Sequence, residues 1–191
     1  MLCLFGFVIG QRCHTQQFAL GVTLSGRSRR VLETVPGLFV NTVPVAFDWS
    51  DEDRFSALLQ RVKTRLGELQ ELQDFPLNRV MAVQKLRDMP FNILVNEEML
   101  PGQLAFGGAA AQLEGISTGI AKLPMLVSFL FGGETWQLRM EYRENGCPPE
   151  WIAGLLEDVR RLIKVLDGMS AARLGELQAP DEQLMALLDL N

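Results

Sequence analysis

The sequence has a single histidine, His14, and this scarcity limits the chemistry that the chain can perform by itself. Nucleophilic catalysis by a Ser–His or Cys–His pair would have to use His14, and neither a G-x-S-x-G nor an H-E-x-x-H pattern accompanies it. A lone histidine between Cys13 and Thr15, near a chain end, is more often a solvated or hydrogen-bonded residue. By its own chemistry, the chain does not look like a complete enzyme.

Cysteine is also scarce, since the chain has only Cys3, Cys13 and Cys147. No C-x-x-C motif or Cys/His ligand spacing occurs, so we expect no structural zinc. Thiols in a chain without a recognisable signal peptide are typical of a reducing compartment, which predicts a cytoplasmic location. The glycine pairs at 107–108 and 132–133 lack the strand–helix context of a phosphate-binding loop, so no phosphate site is indicated.

The chain also lacks an excess of positive charge and a long uninterrupted apolar run. The net charge is −5 and the pI is about 5.0, and the one basic cluster, at 27–30, is short. A chain that binds a phosphate backbone needs a basic stripe, so we expect no nucleic-acid partner. The apolar start at 1–10 is too short to cross a bilayer, and the apolar run 120–133 is interrupted by a lysine and a proline. We therefore expect no membrane partner either.

The patterns that are present predict strands and helices in alternation. Residues 51–71 carry apolar side chains at helical spacing after Ser50, a predicted N-cap. The segment 124–142 ends in alternating apolar and polar residues, and its Gly132-Gly133 pair suits a tight turn, which predicts a hairpin with one buried face. In chain order, the predicted elements are a strand (18–24), a strand or extended segment (35–47), a helix (51–71), a helix (76–86), a strand (91–96), a long loop with room for an edge strand (97–121), the hairpin (124–142), a helix from Pro148-Pro149 to Gly168 and a helix (181–189).

This order of elements predicts an α/β fold, in the form of an α+β two-layer sandwich. Long helices would pack on a mixed sheet. The chain shows no internal repeat and no low-complexity tract, so residues 1–191 are treated as a single lobe.

Several motifs, in the right order, resemble the condensation domain of nonribosomal peptide synthetases. "VTLSGR" (22–27) and "VPGLFVNTVPV" (35–45) are similar to a strand that ends in a Ser-Gly-Arg turn and is followed by a Gly-x-Phe-Val-Asn-Thr segment. "LQDFPLNRV" (72–80) resembles the Gln-Asp-x-Pro-Phe-Glu motif, with Leu and Asn in place of its last two residues. "LRDMPFNILVN" (86–96) resembles a shortened Arg-Asp-x-x-x-x-Pro-Leu-Phe-x-Val motif.

The resemblance covers essentially the whole chain and implies the C-terminal half of such a domain. A complete domain is a V-shaped pair of lobes related to chloramphenicol acetyltransferase, with the active-site tunnel between them. The catalytic His-His-x-x-x-Asp-Gly motif belongs to the N-terminal lobe and is absent here, so we expect no catalytic residue in this chain. The initial Met followed directly by apolar residues indicates a truncated sequence, since the family has a buried helix at this place.

The resemblance implies that Asn41, Ser25 and Arg27 face the substrate tunnel. An amide on a tunnel wall that partly excludes water can orient a thioester carbonyl or an amine. Alternatives remain open for two of these residues. Arg27 is equally expected in a structural ion pair, for example with one of the motif acids, and the hydroxyl of Ser25 is more typical of a turn cap.

The resemblance gives three further residues structural roles. Gly37 would let the backbone turn or approach another segment closely. Asp74 and Arg87 match motif residues, and a salt bridge is the favoured role for both. Pro44 suits an edge strand, or a strand that crosses to the partner lobe, because it lacks a backbone N–H.

The function implied by the resemblance is amide-bond formation between a carrier-tethered acyl or peptidyl thioester and a carrier-tethered amino acid. The phosphopantetheine arms of carrier proteins would enter as parts of the substrates, without a metal or diffusible cofactor. The implied partners are an N-terminal condensation lobe, peptidyl carrier proteins and adjacent synthetase modules.

Two other functions remain open. The chain can be a degenerate, non-catalytic lobe that docks carrier proteins or neighbouring modules. An acyltransferase or epimerising relative of the same fold is a weaker candidate, since it would also need the missing histidine motif. A lobe without its partner should expose apolar surface around 38–47 or 97–121 and should self-associate.

Overall fold

The computed structural model of the protein describes most of the chain, namely residues 1–100, 104–111, 116, 119–132, 135–169 and 172–177. Its helices are α1 (Leu2–Arg12), α2 (Phe55–Glu71), α3 (Leu77–Val83) and α4 (Pro149–Met169). Its strands are β1 (Gln17–Leu24), β2 (Asn41–Asp48), β3 (Ile93–Met99), β4 (Leu104–Phe106), β5 (Ala109–Ala111), β6 (Met125–Gly132) and β7 (Thr135–Tyr142). Short 3-10 turns occur at Arg30–Leu32 and Leu174–Leu177.

Five of these strands form one mixed sheet, in the order β2-β1-β3-β6-β7. β3 is parallel to both of its neighbours, with Gly21 opposite Leu94 and Val95 opposite Val127. β7 is antiparallel to β6, and β4 and β5 form a separate antiparallel pair. Parallel neighbours need long crossover connections, whereas an antiparallel pair needs only a turn, so the order of elements along the chain accounts for the mixed sheet. The predicted α/β class is confirmed.

The predicted strands and the predicted hairpin are present in this sheet. β1 contains the predicted strand 18–24, β3 begins at Ile93 within the predicted strand 91–96, and β6 with β7 forms the hairpin. Gly133, half of the predicted turn pair, lies outside the described residues. The inner face of β7 is half-buried rather than buried, and Trp136 remains 39% exposed because β7 is the last strand of the sheet.

Three predicted helix ends were wrong. α3 ends at Val83 and not at 86. α2 begins at Phe55, and Ser50 does not cap it, because Ser50 and Asp53 bond to each other in a turn before the helix. In that turn the backbone N–H of Ser50 donates to Oδ2 of Asp53, at 3.0 Å. α4 continues through Gly168 to Met169, since a glycine inside a helix only costs about 1 kcal/mol relative to alanine. The predicted helix at 181–189 lies outside the described residues.

Two parts of the fold did not follow from periodicity. α1 is the buried helix that the family resemblance implied, but its sequence is apolar on all sides and therefore lacks the stripe of a surface helix. The predicted long loop 97–121 contains the end of β3 and the β4–β5 pair, which is connected through Gly107 and Gly108.

The chain divides into two compact units, each of which is built from separate segments. The first consists of Met1–Ala19, Val45–Gln70 and the chain from Pro148 onward. Its core contains nearly all of α1, which packs against α4, together with apolar side chains of α2. The ring of Phe7 lies at the centre of this core, 5.7 Å from that of Trp49 and 6.0 Å from that of Phe55.

The second unit consists of Leu20–Pro44 and Glu71–Cys147. Its core is the middle of the sheet, where β3 and β6 carry side chains that are almost completely buried, such as Val95, Val127 and Phe129. α3, by contrast, has no fully buried residue.

Two functional classes can be checked directly against the fold. Within the described residues, no helix combines the length and the apolar character that a membrane crossing requires. The same part of the chain brings no three His, Cys, Asp or Glu side chains together as metal ligands.

Candidate functional site

Two of the predicted site residues, Asn41 and Asp74, line one open cavity of the second unit, which we call the Asn41 cavity. Ser25 and Arg27 do not line it themselves, but they are the chain neighbours of Gly26, which does. The volume of the cavity is about 490 Å³, and it is lined by residues of three segments, 26–32, 39–41 and 73–76. These segments are the turn after β1 with the loop that follows, the start of β2, and the loop before α3. The family resemblance brought the same segments together from their motifs.

The side chain of Asn41 is held by protein groups on both of its polar ends. Its Nδ2 donates to the backbone carbonyls of Gln73, at 2.8 Å, and of Phe75, at 2.9 Å. Its Oδ1 accepts the backbone N–H of Thr42 at 3.0 Å. An amide nitrogen has two hydrogens to donate and an amide oxygen has two lone pairs, so one lone pair of Oδ1 is left for a ligand.

Ser25 and Gly26 form the turn that ends β1. The hydroxyl of Ser25 accepts the backbone N–H of Arg27 at 3.3 Å, which is the turn-capping role that was left open for it. Gly26 has a φ of +64°, and a Cβ at this position would overlap the carbonyl oxygen of Phe39. Its backbone N–H donates to Oε1 of Gln73 at 3.1 Å. Only glycine fits this turn.

Arg27 organises the loop between β1 and β2. Its guanidinium donates to the carbonyl of Leu32, to that of Val35 at 2.9 Å and to that of Gly37 at 3.2 Å. The same group lies 4.5 Å from the centre of the Phe39 ring, within the range of a cation–π contact. Among the described residues, no carboxylate pairs with Arg27, so its charge is compensated by carbonyl dipoles and not by an ion pair.

The residues with expected structural roles lie in or near the same loops. Gly37 has a φ of +152°, which residues with a side chain rarely adopt. Both carboxylate oxygens of Asp74 lie 2.9 Å from the hydroxyl of Ser28. Within the described part of the chain, neither Asp74 nor Arg87 forms the expected salt bridge: Asp74 faces a hydroxyl, and the side chain of Arg87 is exposed to solvent.

The structure adds Gln73 to the site, which the sequence reasoning missed. Its side chain binds Gly26 and its backbone carbonyl binds Asn41, so it contacts two of the three segments that line the cavity. The signal was present, since Gln73 belongs to the "LQDFP" motif next to Asp74. Its partners, however, are 47 and 32 residues away in the sequence, and no local pattern connects them.

His14 lies elsewhere, in the first unit. It is exposed, with a φ of +50°, and lines a second open cavity of about 770 Å³ beside Arg12, Trp49 and Trp151. Arg12 is paired there with Asp158. The exposure of His14 agrees with the expectation of a solvated residue.

Two ionisable groups of the first unit have shifted pKa values. The hydrogen bond from Arg61, at 2.6 Å, and then the backbone N–H of Ser50 lower the pKa of Asp53. Burial in α1 raises the pKa of the Cys3 thiol to about 12, so this thiol stays protonated and unreactive at neutral pH. Neither group lines the Asn41 cavity, so both shifts belong to the scaffold.

The predicted exposure of apolar surface is present in both places where it was expected. Leu38 is 90% exposed and Val40 is 51% exposed, and in the second region Phe106 and Ile116 are 86% and 89% exposed. The rest of the first region was predicted wrongly, because alternate residues of β2, such as Val45, point into a core.

Comparisons with known proteins identify relatives of this chain. The family model "Condensation domain" matches residues 1–188. Surfactin synthase subunit 2 of Bacillus subtilis is 24% identical over 90% of this chain, and bacitracin synthase 3 of Bacillus licheniformis is 29% identical over 54% of it. The chain spans only 5% and 2% of the lengths of these two relatives.

Solved structures give the same fold. The starter condensation domain of the rhizomide synthetase RzmA superposes with a TM-score of 0.80 at 17% identity, over 95% of this chain and 44% of that one. The first condensation domain of the calcium-dependent antibiotic synthetase, in complex with a substrate analogue, superposes with a TM-score of 0.74 at 16% identity, over 92% and 39%. The expected architecture of a mixed sheet with long helices is thereby confirmed. With its family model matched over nearly its full length, the chain belongs to the condensation-domain family.

Proposed function

We propose that this chain is the C-terminal lobe of a nonribosomal peptide synthetase condensation domain and supplies one wall of its substrate tunnel. In this role it helps to join a carrier-tethered acyl or peptidyl thioester to the amine of a carrier-tethered amino acid. The other wall, with the His-His-x-x-x-Asp-Gly motif, comes from an N-terminal lobe. The reaction takes place in the cytoplasm.

The observation that carries this proposal is the Asn41 cavity. Three motif segments, distant in sequence, meet in one open pocket of about 490 Å³, and this pocket holds no histidine. The comparison with the rhizomide synthetase domain supports the same conclusion, since 95% of this chain matches only 44% of that domain. More than half of such a domain would therefore lie outside the 191 residues.

The tunnel wall acts by position and polarity rather than by proton transfer. Asn41 and Arg27 are fixed in advance, because their side-chain donors already bind backbone carbonyls, and the Ser25 hydroxyl accepts the backbone N–H of Arg27. The remaining lone pair of the Asn41 amide is available for the attacking amine. Hydrogen-bonding groups that are fixed in advance need little reorganisation during the reaction.

The substrates enter on the phosphopantetheine arms of peptidyl carrier proteins, so these carriers and the adjacent synthetase modules are the proposed partners. Each arm would bring its thioester into the tunnel from its own side. No metal or diffusible cofactor takes part in this scheme. The proposal leaves the acyl donor, the amino acid and the stereochemistry open.

A second candidate is a non-catalytic lobe that docks carrier proteins or neighbouring modules. One observation favours it: the "LQDFPLNRV" motif departs from the family pattern at Leu77 and Asn78, where α3 begins beside the Asn41 cavity. Both donors of Asn41 are also used within the protein. In this case the cavity wall keeps its shape but has lost its part in the reaction.

Reconstitution separates the two candidates. The chain is co-expressed with an N-terminal condensation lobe that has an intact His-His-x-x-x-Asp-Gly motif, and loaded donor and acceptor carriers are added. Product on the acceptor carrier is measured by mass spectrometry. We expect product only when both lobes are present, and none when the second histidine of the motif is replaced by alanine. A stable complex without product would favour docking, and the absence of a complex would contradict both candidates.

A further inference from the structure

Three segments of the second unit are joined at a single residue, Gln73. The side-chain Oε1 of Gln73 accepts the backbone N–H of Gly26 at 3.1 Å. Its backbone carbonyl accepts Nδ2 of Asn41 at 2.8 Å, while the carbonyl of Phe75 binds the same nitrogen at 2.9 Å. We call the hydrogen bonds among Gly26, Asn41 and Gln73 the clasp.

The clasp holds the Ser25–Arg27 turn, whose backbone conformation is already restricted at Gly26. Gly26 is buried, and its left-handed backbone brings it against the carbonyl of Phe39. A buried N–H that loses its acceptor costs about 1–3 kcal/mol, so the turn depends on the Gln73 oxygen. Asn41 binds the backbone carbonyl of the same residue, so Gln73 connects the turn at Gly26 to Asn41.

We propose that Gln73 is a positioning residue of the condensation reaction: it sets the Ser25–Arg27 turn at the correct distance from Asn41. Gln73 itself contacts no substrate in this scheme. The inference rests on the proposed function for its catalytic part, whereas the clasp itself rests only on the hydrogen bonds described above.

The test compares three variants of the chain. Gln73→Leu removes the acceptor while keeping the size of the side chain. Gln73→Glu keeps an oxygen within reach of the Gly26 N–H and is the conservative rescue. Gln84→Leu makes the same chemical change at an exposed residue next to α3 and outside the clasp, and serves as the matched control.

The first measurement uses the chain alone, with ¹⁵N labelling and NMR. In Gln73→Leu we expect the Gly26 amide proton to exchange with solvent at least about tenfold faster and to shift upfield, because a lost hydrogen bond of about 1.4 kcal/mol corresponds to a factor of ten. Gln73→Glu and Gln84→Leu should keep slow exchange at Gly26. Unchanged exchange in Gln73→Leu would overturn the clasp.

The second measurement uses the two reconstituted lobes. In Gln73→Leu we expect kcat to fall about 10- to 100-fold while KM for both loaded carriers stays within about twofold, as for a small misplacement of reacting groups. Gln73→Glu should recover most of the rate. Faster exchange at Gly26 with an unchanged kcat would reduce Gln73 to a structural residue and overturn the proposal.

The two arms also separate this inference from the proposed function. A wild-type pair of lobes that forms no product contradicts the proposed function and with it the catalytic part of the inference. The clasp is then decided by the exchange measurement, which does not need the partner lobe.

Discussion

At the scale of single residues, polar side chains in and beside the Asn41 cavity are held by backbone carbonyls. Arg27 binds three carbonyls of one loop, and Asn41 binds two carbonyls of another. Motif residues that the sequence suggests as substrate contacts therefore also stabilise the loops that form the wall of the cavity. The two roles are compatible, since a group must be fixed before it can orient a substrate.

Replacing Asn41 tests both roles. Asn41→Asp removes two donors and places a carboxylate against two carbonyls, so we expect the free energy of unfolding to fall by about 1–3 kcal/mol in urea titrations. Asn78→Asp, at an exposed position of α3, should change it by less than about 0.5 kcal/mol. In the reconstituted pair, Asn41→Ala should lower the condensation rate. An unchanged rate in a folded variant would remove Asn41 from the site.

Arg27→Lys tests the loop between β1 and β2. A lysine ammonium cannot bridge three carbonyls in the planar arrangement of a guanidinium, so the loop should open more often. Each lost hydrogen bond of about 1 kcal/mol raises the open population about fivefold. The measurement is the rate of cleavage after the exposed Glu33 by a glutamate-specific protease. The control, Arg30→Lys, should be cleaved at the wild-type rate, and equal rates for both variants would contradict the bridging role.

At the scale of elements, the sequence predicted the helices and strands whose apolar residues recur at a regular spacing. It missed features that depend on contacts with residues distant in the sequence. The β6–β7 hairpin and α4 were predictable because their apolar residues recur at the period of a strand or of a helix. α1 shows no period, since it is buried on all sides. The start of α2 was misplaced because the Ser50–Asp53 turn satisfies the same capping pattern before the helix begins. For the site, the motifs gave Asn41 but not its partner Gln73.

The burial of α1 gives a prediction for Cys3. Its pKa of about 12 lies above the ordinary value of 9.0, so between these values the unfolded chain loses the thiol proton while the folded chain keeps it. Stability should therefore fall as the pH rises above 9, by up to about 1.4 kcal/mol per pH unit. A Cys3→Ala variant should have a weaker pH dependence in the same range.

Thiol labelling provides the direct check on this burial. At pH 8, iodoacetamide should modify the exposed Cys13 of the native protein and should reach Cys3 only after unfolding in urea. Equal labelling of both residues in the native protein would contradict the buried position of α1.

At the scale of the whole molecule, exposed apolar side chains are concentrated in the second unit. Three of these side chains are at least 80% exposed, namely Met99, Phe106 and Ile116. Leu38, beside the Asn41 cavity, is 90% exposed. Exposed apolar patches on a protein are typical of an interaction site. The exposure of these side chains is expected if a partner covers part of the second unit.

We therefore expect the isolated chain to self-associate and the N-terminal lobe to prevent this. Sedimentation velocity over a range of concentrations measures the first effect, and the same experiment with the added lobe measures the second. Leu38→Ser should reduce self-association. Leu72→Ser makes the same change at another exposed leucine, the first residue of the "LQDFPLNRV" motif, and gives a comparison. A monomer at high concentration would contradict the expectation.

Pro44 has a consequence for the rim of the five-stranded sheet. It lies in β2, the first strand of the sheet order, where a free edge could template the addition of strands from other molecules. Proline has no N–H, so Pro44 removes one hydrogen-bond donor from the backbone of this strand, as is typical of edge strands. The opposite rim, β7, has no proline and relies on the charges of Arg139 and Glu141. Fibril growth, if the protein is stressed, should therefore proceed from the β7 side.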